Sequence, residues 1–185
     1  MPDSNVDNLL ASIASLSEDE RRELYMRLGV RPVSARASQP ALFAEFEANT
    51  LAGAADYVIV FDGGSQGNPG PGYGSYAVFS GGRREVKRLS FGDGMTNNEA
   101  EYATLMQALD DVQGRIERDS KLPGDFSIEV RGDSALVLKQ VSGEWKAKDE
   151  RMRQLRDSVR RSLSRFKANR LTHQPREETV KLLGH

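Results

Sequence analysis

The spacing of apolar residues changes several times along the chain, and each change marks an element. YVIVF at residues 57–61 is β-branched and aromatic without interruption, which predicts a strand buried on both faces. GGSQGNPGPG follows, a segment rich in turn residues. Residues 73–79 form a second short strand that closes a hairpin, and a third spans 85–91 after the Gly81-Gly82 turn. Helical spacing then takes over at 97–112, where Ala100, Ala103, Leu105, Met106, Ala108 and Leu109 make an apolar stripe. Alternation returns at 126–131, a fourth strand. Ser134 opens a helix to about 141, and a longer, strongly charged helix covers 149–166. Leu171 sits on a short fifth strand that Pro175 ends. The predicted order is βββαβααβ, an α/β layered fold with a five-stranded mixed sheet and helices on both faces.

The first 56 residues differ in kind. Leu9, Leu10, Ile13 and Leu16 recur at helical spacing, and Ser17 with Glu20 makes a capping box before a second helix at 18–28. Residues 1–30 are therefore a small helical hairpin, either an accessory segment or a docking element for a protein partner or a second copy. Residues 31–56, rich in Ala, Ser and Pro, read as a linker. The main domain is 57–185.

Composition narrows the partners. Lys and Arg total 26 against 27 Asp and Glu, so any nucleic-acid site is a local basic patch and not a uniformly basic surface. There is no cysteine, which leaves oxygen and imidazole as metal ligands and favours Mg²⁺ or Mn²⁺. Mean hydropathy is -0.56. No apolar run approaches the ~18 residues of a membrane span. The acidic N-terminus lacks the form of a signal peptide, so the expected location is cytoplasmic.

Three acids stand at matching junctions. Asp62 follows the first strand, Glu101 lies in the first turns of the first main helix, and Asp133 follows the fourth strand. If the first and fourth strands are parallel neighbours, Asp62 and Asp133 emerge together at their carboxyl ends. A helix crossing that edge would bring Glu101 to them. Three close carboxylates repel one another unless cations hold them, and two divalent ions ~4 Å apart would activate a water against a phosphodiester. Glu99 is a rival for Glu101, but it faces a different way on the helix. Each acid alone reads equally as a solvated strand-end or helix-start residue.

DGGSQGNPGPGYGSYAVF, TNNEAEYATLMQAL and RGDSALVLKQVSGEWKAK, in this order and spacing, resemble ribonuclease H of type 1. The similarity is to the bacterial and archaeal branch without the long basic handle. It implies a ribonuclease H-like fold and cleavage of the RNA strand of RNA–DNA hybrids. Two Mg²⁺ or Mn²⁺ ions would serve, and the products would carry a 3′-hydroxyl and a 5′-phosphate. Asp62, Glu101 and Asp133 fall on the first three metal-binding carboxylates. Asn68, Asn98 and Gln140 fall on or near polar positions that contact the hybrid.

HQPREE, from His173, resembles the family segment that leads to a fourth metal-binding Asp ten residues after the His, but Leu183 stands at that position. His185 is the nearest metal-capable group and is read as the replacement ligand. The resemblance places His173 on a proton-transferring position, and the residue alone reads equally as a hydrogen-bonded strand end. Gly63 and Gly64 would let a nucleic-acid backbone approach closely, and backbone groups near Gly64, Ser65 and Asn98 are expected to read the RNA 2′-hydroxyl. Trp145, Lys146 and Lys148 offer an aromatic face and cations to the DNA strand. Arg151, Arg153, Arg156, Arg160 and Arg161 either extend that basic face or solvate a helix. Two other readings stay open: a catalytically impaired hybrid- or RNA-binding module of the same fold, and a nuclease acting on double-stranded RNA.

Overall fold

The computed structural model describes residues 55–184. The helical hairpin, nearly all of the linker and His185 lie outside them. The elements run β1 (Tyr57–Ser65), β2 (Gly70–Ser80), β3 (Arg83–Met95), α1 (Asn97–Arg118), β4 (Ser127–Gly132), α2 (Ala135–Ser142), α3 (Glu150–Ser164), β5 (Ala168–His173) and α4 (Arg176–Leu183).

One sheet holds all five strands in the order β3-β2-β1-β4-β5. The pairs β1–β2 and β2–β3 are antiparallel, whereas β1–β4 and β4–β5 are parallel. The apolar run of β1 is central for a physical reason: Val58, Ile59, Val60 and Phe61 are all at most 1% exposed, so both faces of the strand are covered. Ile59 and Phe61 join Tyr76, Val78, Ile128 and Val130 in the main core, against Leu105, Leu109, Val112 and Ile116 of α1. Burying each such side chain contributes ~1.5–3 kcal/mol. Val58 and Val60 point the other way, toward the face on which α4 touches β1, β2 and β4.

Capping chemistry fixes where the helices start. The Thr96 hydroxyl accepts from the Glu99 amide, and the Glu99 carboxylate accepts from the Thr96 amide, a full capping box. Ser134 caps α2 and Asp149 caps α3, each accepting a backbone N–H. Gly143 ends α2 with φ +95°, a left-handed geometry that favours glycine. Among the described residues, no helix is long and apolar enough to cross a membrane.

Three expectations are corrected. The predicted order ended at the fifth strand, but helix α4 follows, with Thr179, Leu182 and Leu183 buried. Asp62 does not follow β1; it lies inside the strand, in register with Ser75, because backbone pairing continues through the glycines to Ser65. Helix α1 runs on to Arg118, since Val112 and Ile116 extend its apolar stripe past 112.

Candidate active site

Register explains how the first two acids meet. Tyr57 pairs with Ile128 and Phe61 with Gly132 in the parallel β1–β4 ladder, so Asp62 and Asp133 each come directly after the last pair of that ladder, Asp62 within β1 and Asp133 just past β4. The third acid arrives through a close approach. A Cβ on Gly63 would lie 2.6 Å from Ala100 C and O and from Glu101 N, so only a bare glycine lets the first turns of α1 cross β1 there. That contact sets Glu101 beside the strand end. Gly63 thus serves strand–helix packing.

The electrostatics follow from this crowding. Burial pushes the Glu101 carboxyl up, the Asp133 and Asp62 charges push the same way, and the Ser134 hydrogen bond and Arg176 oppose them. The carboxyl is pushed up to about 7. Ser134 Oγ donates to Glu101 Oε2 at 2.5 Å while also capping α2, so one hydroxyl ties the second acid to the third acid's loop. Arg176 Nη1 lies 2.9 Å from Asp133 Oδ2 and 3.6 Å from Asp62 Oδ1. His173, exposed at the end of β5, has Nε2 3.3 Å from the Asp133 carbonyl oxygen. That contact matches the reading of His173 as a hydrogen-bonded strand end and also keeps it next to Asp133.

Glu99, the rival of Glu101, is spent elsewhere. It is buried, accepts from the Thr96 amide and hydroxyl, and pairs with Arg151 at 2.6 Å. Among the described residues, no three His, Asp or Glu side chains are arranged to hold a metal ion. Asp62 and Asp133 are instead turned to a guanidinium, and Glu101 to a hydroxyl. The donor set still fits a hard divalent cation. It consists of carboxylate oxygens, and the mutual repulsion that raises Glu101 is what such a cation would relieve.

The loop after β1 is fastened to the start of α1. Ser65 donates its amide to Asn97 Oδ1 at 2.8 Å, and Asn97 donates its own amide to Asn68 Oδ1 at 3.2 Å. Ser65 Oγ also meets Asn97 Oδ1 and the Gly67 carbonyl. A Cβ on Gly64 would fall on the Tyr73 ring, so that glycine accommodates a half-exposed tyrosine. Asn98 is half-buried next to Asn97. Gln140 is buried, and its Oε1 accepts from Tyr102 at 2.9 Å. Trp145, Lys146 and Lys148 are all exposed, with Lys139 Nζ 5.1 Å from the Trp145 ring centre. The five arginines of α3 are each engaged inside the molecule: Arg151 with Glu99, Arg153 with Glu150, Arg156 with Asp157, Arg160 with the Gln140 and Val141 carbonyls, and Arg161 with Ser158.

Sequence reasoning missed Ser134, Asn97 and Arg176 as site residues. Ser134 carries the mark of a helix cap directly after Asp133, which was a usable signal. Arg176 stands just after Pro175, at the start of a helix whose eight residues give too little periodicity to read.

The family described as Reverse transcriptase-like matches residues 80–180. Over 120 residues the chain is 38% identical to ribonuclease HI of Halobacterium salinarum, an alignment covering 63% of this chain and 55% of that protein. A bifunctional protein of Mycobacterium tuberculosis is 40% identical over 99 residues, or 49% of this chain and 23% of that one. The chain thus spans about half, or less, of the curated relatives it matches. The crystal structure of ribonuclease H1 from Halobacterium salinarum superposes with a TM-score of 0.58 at 36% identity, covering 66% of this chain and 88% of that one. LC11 ribonuclease H1, crystallised with an RNA/DNA hybrid, gives 0.60 at 30% identity, covering 68% and 89%.

Proposed function

Because the chain belongs to the reverse transcriptase-like family, with its ribonuclease H fold, we propose that it hydrolyses the RNA strand of RNA–DNA hybrids with the help of divalent metal ions. The observation that carries this reading is the meeting of Asp62, Glu101 and Asp133, brought from β1, α1 and the end of β4 to one edge of the sheet. A pure binding module has no use for three carboxylates held against a phosphate backbone. Relatives support the substrate, since a structural neighbour was crystallised with an RNA/DNA hybrid.

Asp62, Glu101 and Asp133 would hold the ions, Mg²⁺ or Mn²⁺, and His185 would be a further ligand. Bound ions would activate a water and steady the leaving oxygen. Water attacks phosphorus, the bond to the 3′-oxygen breaks, and that oxygen takes a proton, leaving a 3′-hydroxyl and a 5′-phosphate. His173, whose Nε2 lies 3.3 Å from the Asp133 carbonyl oxygen, would carry protons here. Ser65, Asn68 and Asn97 form a bonded knot that would read the 2′-hydroxyl, the feature that separates RNA from DNA. Trp145, Lys146 and Lys148 would lie along the DNA strand.

The test is cleavage of labelled RNA–DNA hybrid, duplex DNA and duplex RNA in Mg²⁺, Mn²⁺ and EDTA. Hybrid alone should be cut, only with metal, and Asp62→Asn should abolish cutting while leaving hybrid binding measurable. Equal cutting of duplex RNA would favour the double-stranded RNA reading. Deleting residue 185 should cost activity by orders of magnitude if His185 is a ligand, and undiminished cleavage by the shortened chain would leave the three acids sufficient.

A further inference from the structure

Arg176 has no role in the reading above, yet it contacts both Asp62 and Asp133. Its Nη1 lies 2.9 Å from Asp133 Oδ2 and 3.6 Å from Asp62 Oδ1. Exposure of the partners is unequal. The arginine side chain is 67% exposed, whereas the Asp62 and Asp133 side chains are 11% and 13% exposed. The acids are fixed in the sheet edge, and the cation reaches in from solvent.

The root of the arginine is fixed as well. The Gln174 amide donates to the Gly132 carbonyl at 3.0 Å, and buried Gln174 Nε2 donates to Thr179 Oγ1 at 2.9 Å. Pro175 then starts α4, with Arg176 as its first residue. Residues 174 and 175 therefore hold the Arg176 backbone against the end of β4, and the long side chain alone spans the distance to the two acids. A solvent-exposed cation on a fixed base, laid across two mostly buried carboxylates, is an exchangeable counter-ion.

We propose that Arg176 is an internal placeholder for the metal: its guanidinium balances Asp62 and Asp133 in the ion-free protein and is displaced when a divalent ion binds. This rests on the metal-site reading above. The guanidinium gives the ion-free protein a way to keep two carboxylates close without the full cost of their repulsion. The released guanidinium is then free to meet a phosphate oxygen of the substrate, a partner it matches in charge and in its forked shape.

The experiment uses the full chain stripped with EDTA. Mn²⁺ binding is measured by calorimetry on wild type, Arg176→Ala and Arg176→Lys. The alanine variant should bind Mn²⁺ about two- to fivefold more tightly, the worth of one partly exposed ion pair, and the lysine variant should fall between it and wild type. In parallel, the Arg176 side-chain ¹⁵N resonance should be restricted in EDTA and become mobile at saturating Mg²⁺. Equal or weaker Mn²⁺ binding by Arg176→Ala overturns the proposal, and so does a guanidinium that stays restricted in Mg²⁺. If wild type binds no ion at all, the metal-site reading itself fails and this proposal with it.

Discussion

Glu101 shows what a single residue pays for its position. Its carboxyl is pushed up to about 7 from 4.5, first by burial and then by Asp133 and Asp62. An acid with a raised value in the fold binds its proton more tightly there than in the unfolded chain. Its contribution to stability is therefore lost as pH rises from 4.5 through about 7. Glu101→Gln has no proton to lose and should keep its hydrogen bond with Ser134. Without metal, the variant should melt at the same temperature as wild type near pH 4.5 and several degrees higher at pH ~8, with an upper bound of about 3 kcal/mol. Saturating Mn²⁺ should close the gap by stabilising wild type alone. Identical melting curves at both pH values, without metal, would remove Glu101 from the crowded site.

Between elements, the decisive contact is Gly63 under α1. Gly63→Ala would drive a methyl group into the Ala100–Glu101 backbone at 2.6 Å, and backbone cannot rotate away as a side chain can. The cost should be ~1–3 kcal/mol of stability, read as a lower denaturant midpoint. Cleavage should fall further than stability, because the helix that moves carries Glu101. The sequence marked the three acids as candidates, because each stands beside a clear change of period, and it held the parallel pairing of their strands only as a condition, which the β1–β4 ladder meets. It did not reveal that pairing continues through Gly63–Ser65 and Gly70–Gly72. A ladder is built from backbone groups, which every residue carries, while turn reading weighs side chains. Helix α4 was hidden for another reason. Its buried residues Thr179, Leu182 and Leu183 cover two turns, and Leu183 appears in sequence only as the absence of an expected acid.

For the whole molecule, near-neutral charge makes nucleic-acid affinity a local property. The exposed cations Lys146 and Lys148, beside Trp145, are the candidates for such a local patch. Lys146→Ala should weaken hybrid binding uniformly across sequences and reduce the slope of log affinity against log salt by about one. An unchanged slope would place this lysine away from the phosphates.

The central place of β1 has a consequence in time. Its amides are bonded on both sides, by β2 and β4, under residues at most 1% exposed. Those amides should exchange with deuterium only when the entire domain opens, whereas amides of the exposed edge strand β3 should exchange through smaller, local openings. Asp62 should therefore ride on the slowest-opening strand of the described sheet, and Arg176 reaches it from a short helix, α4. A hydrogen-exchange experiment that found 58–61 among the fast amides would contradict this ordering.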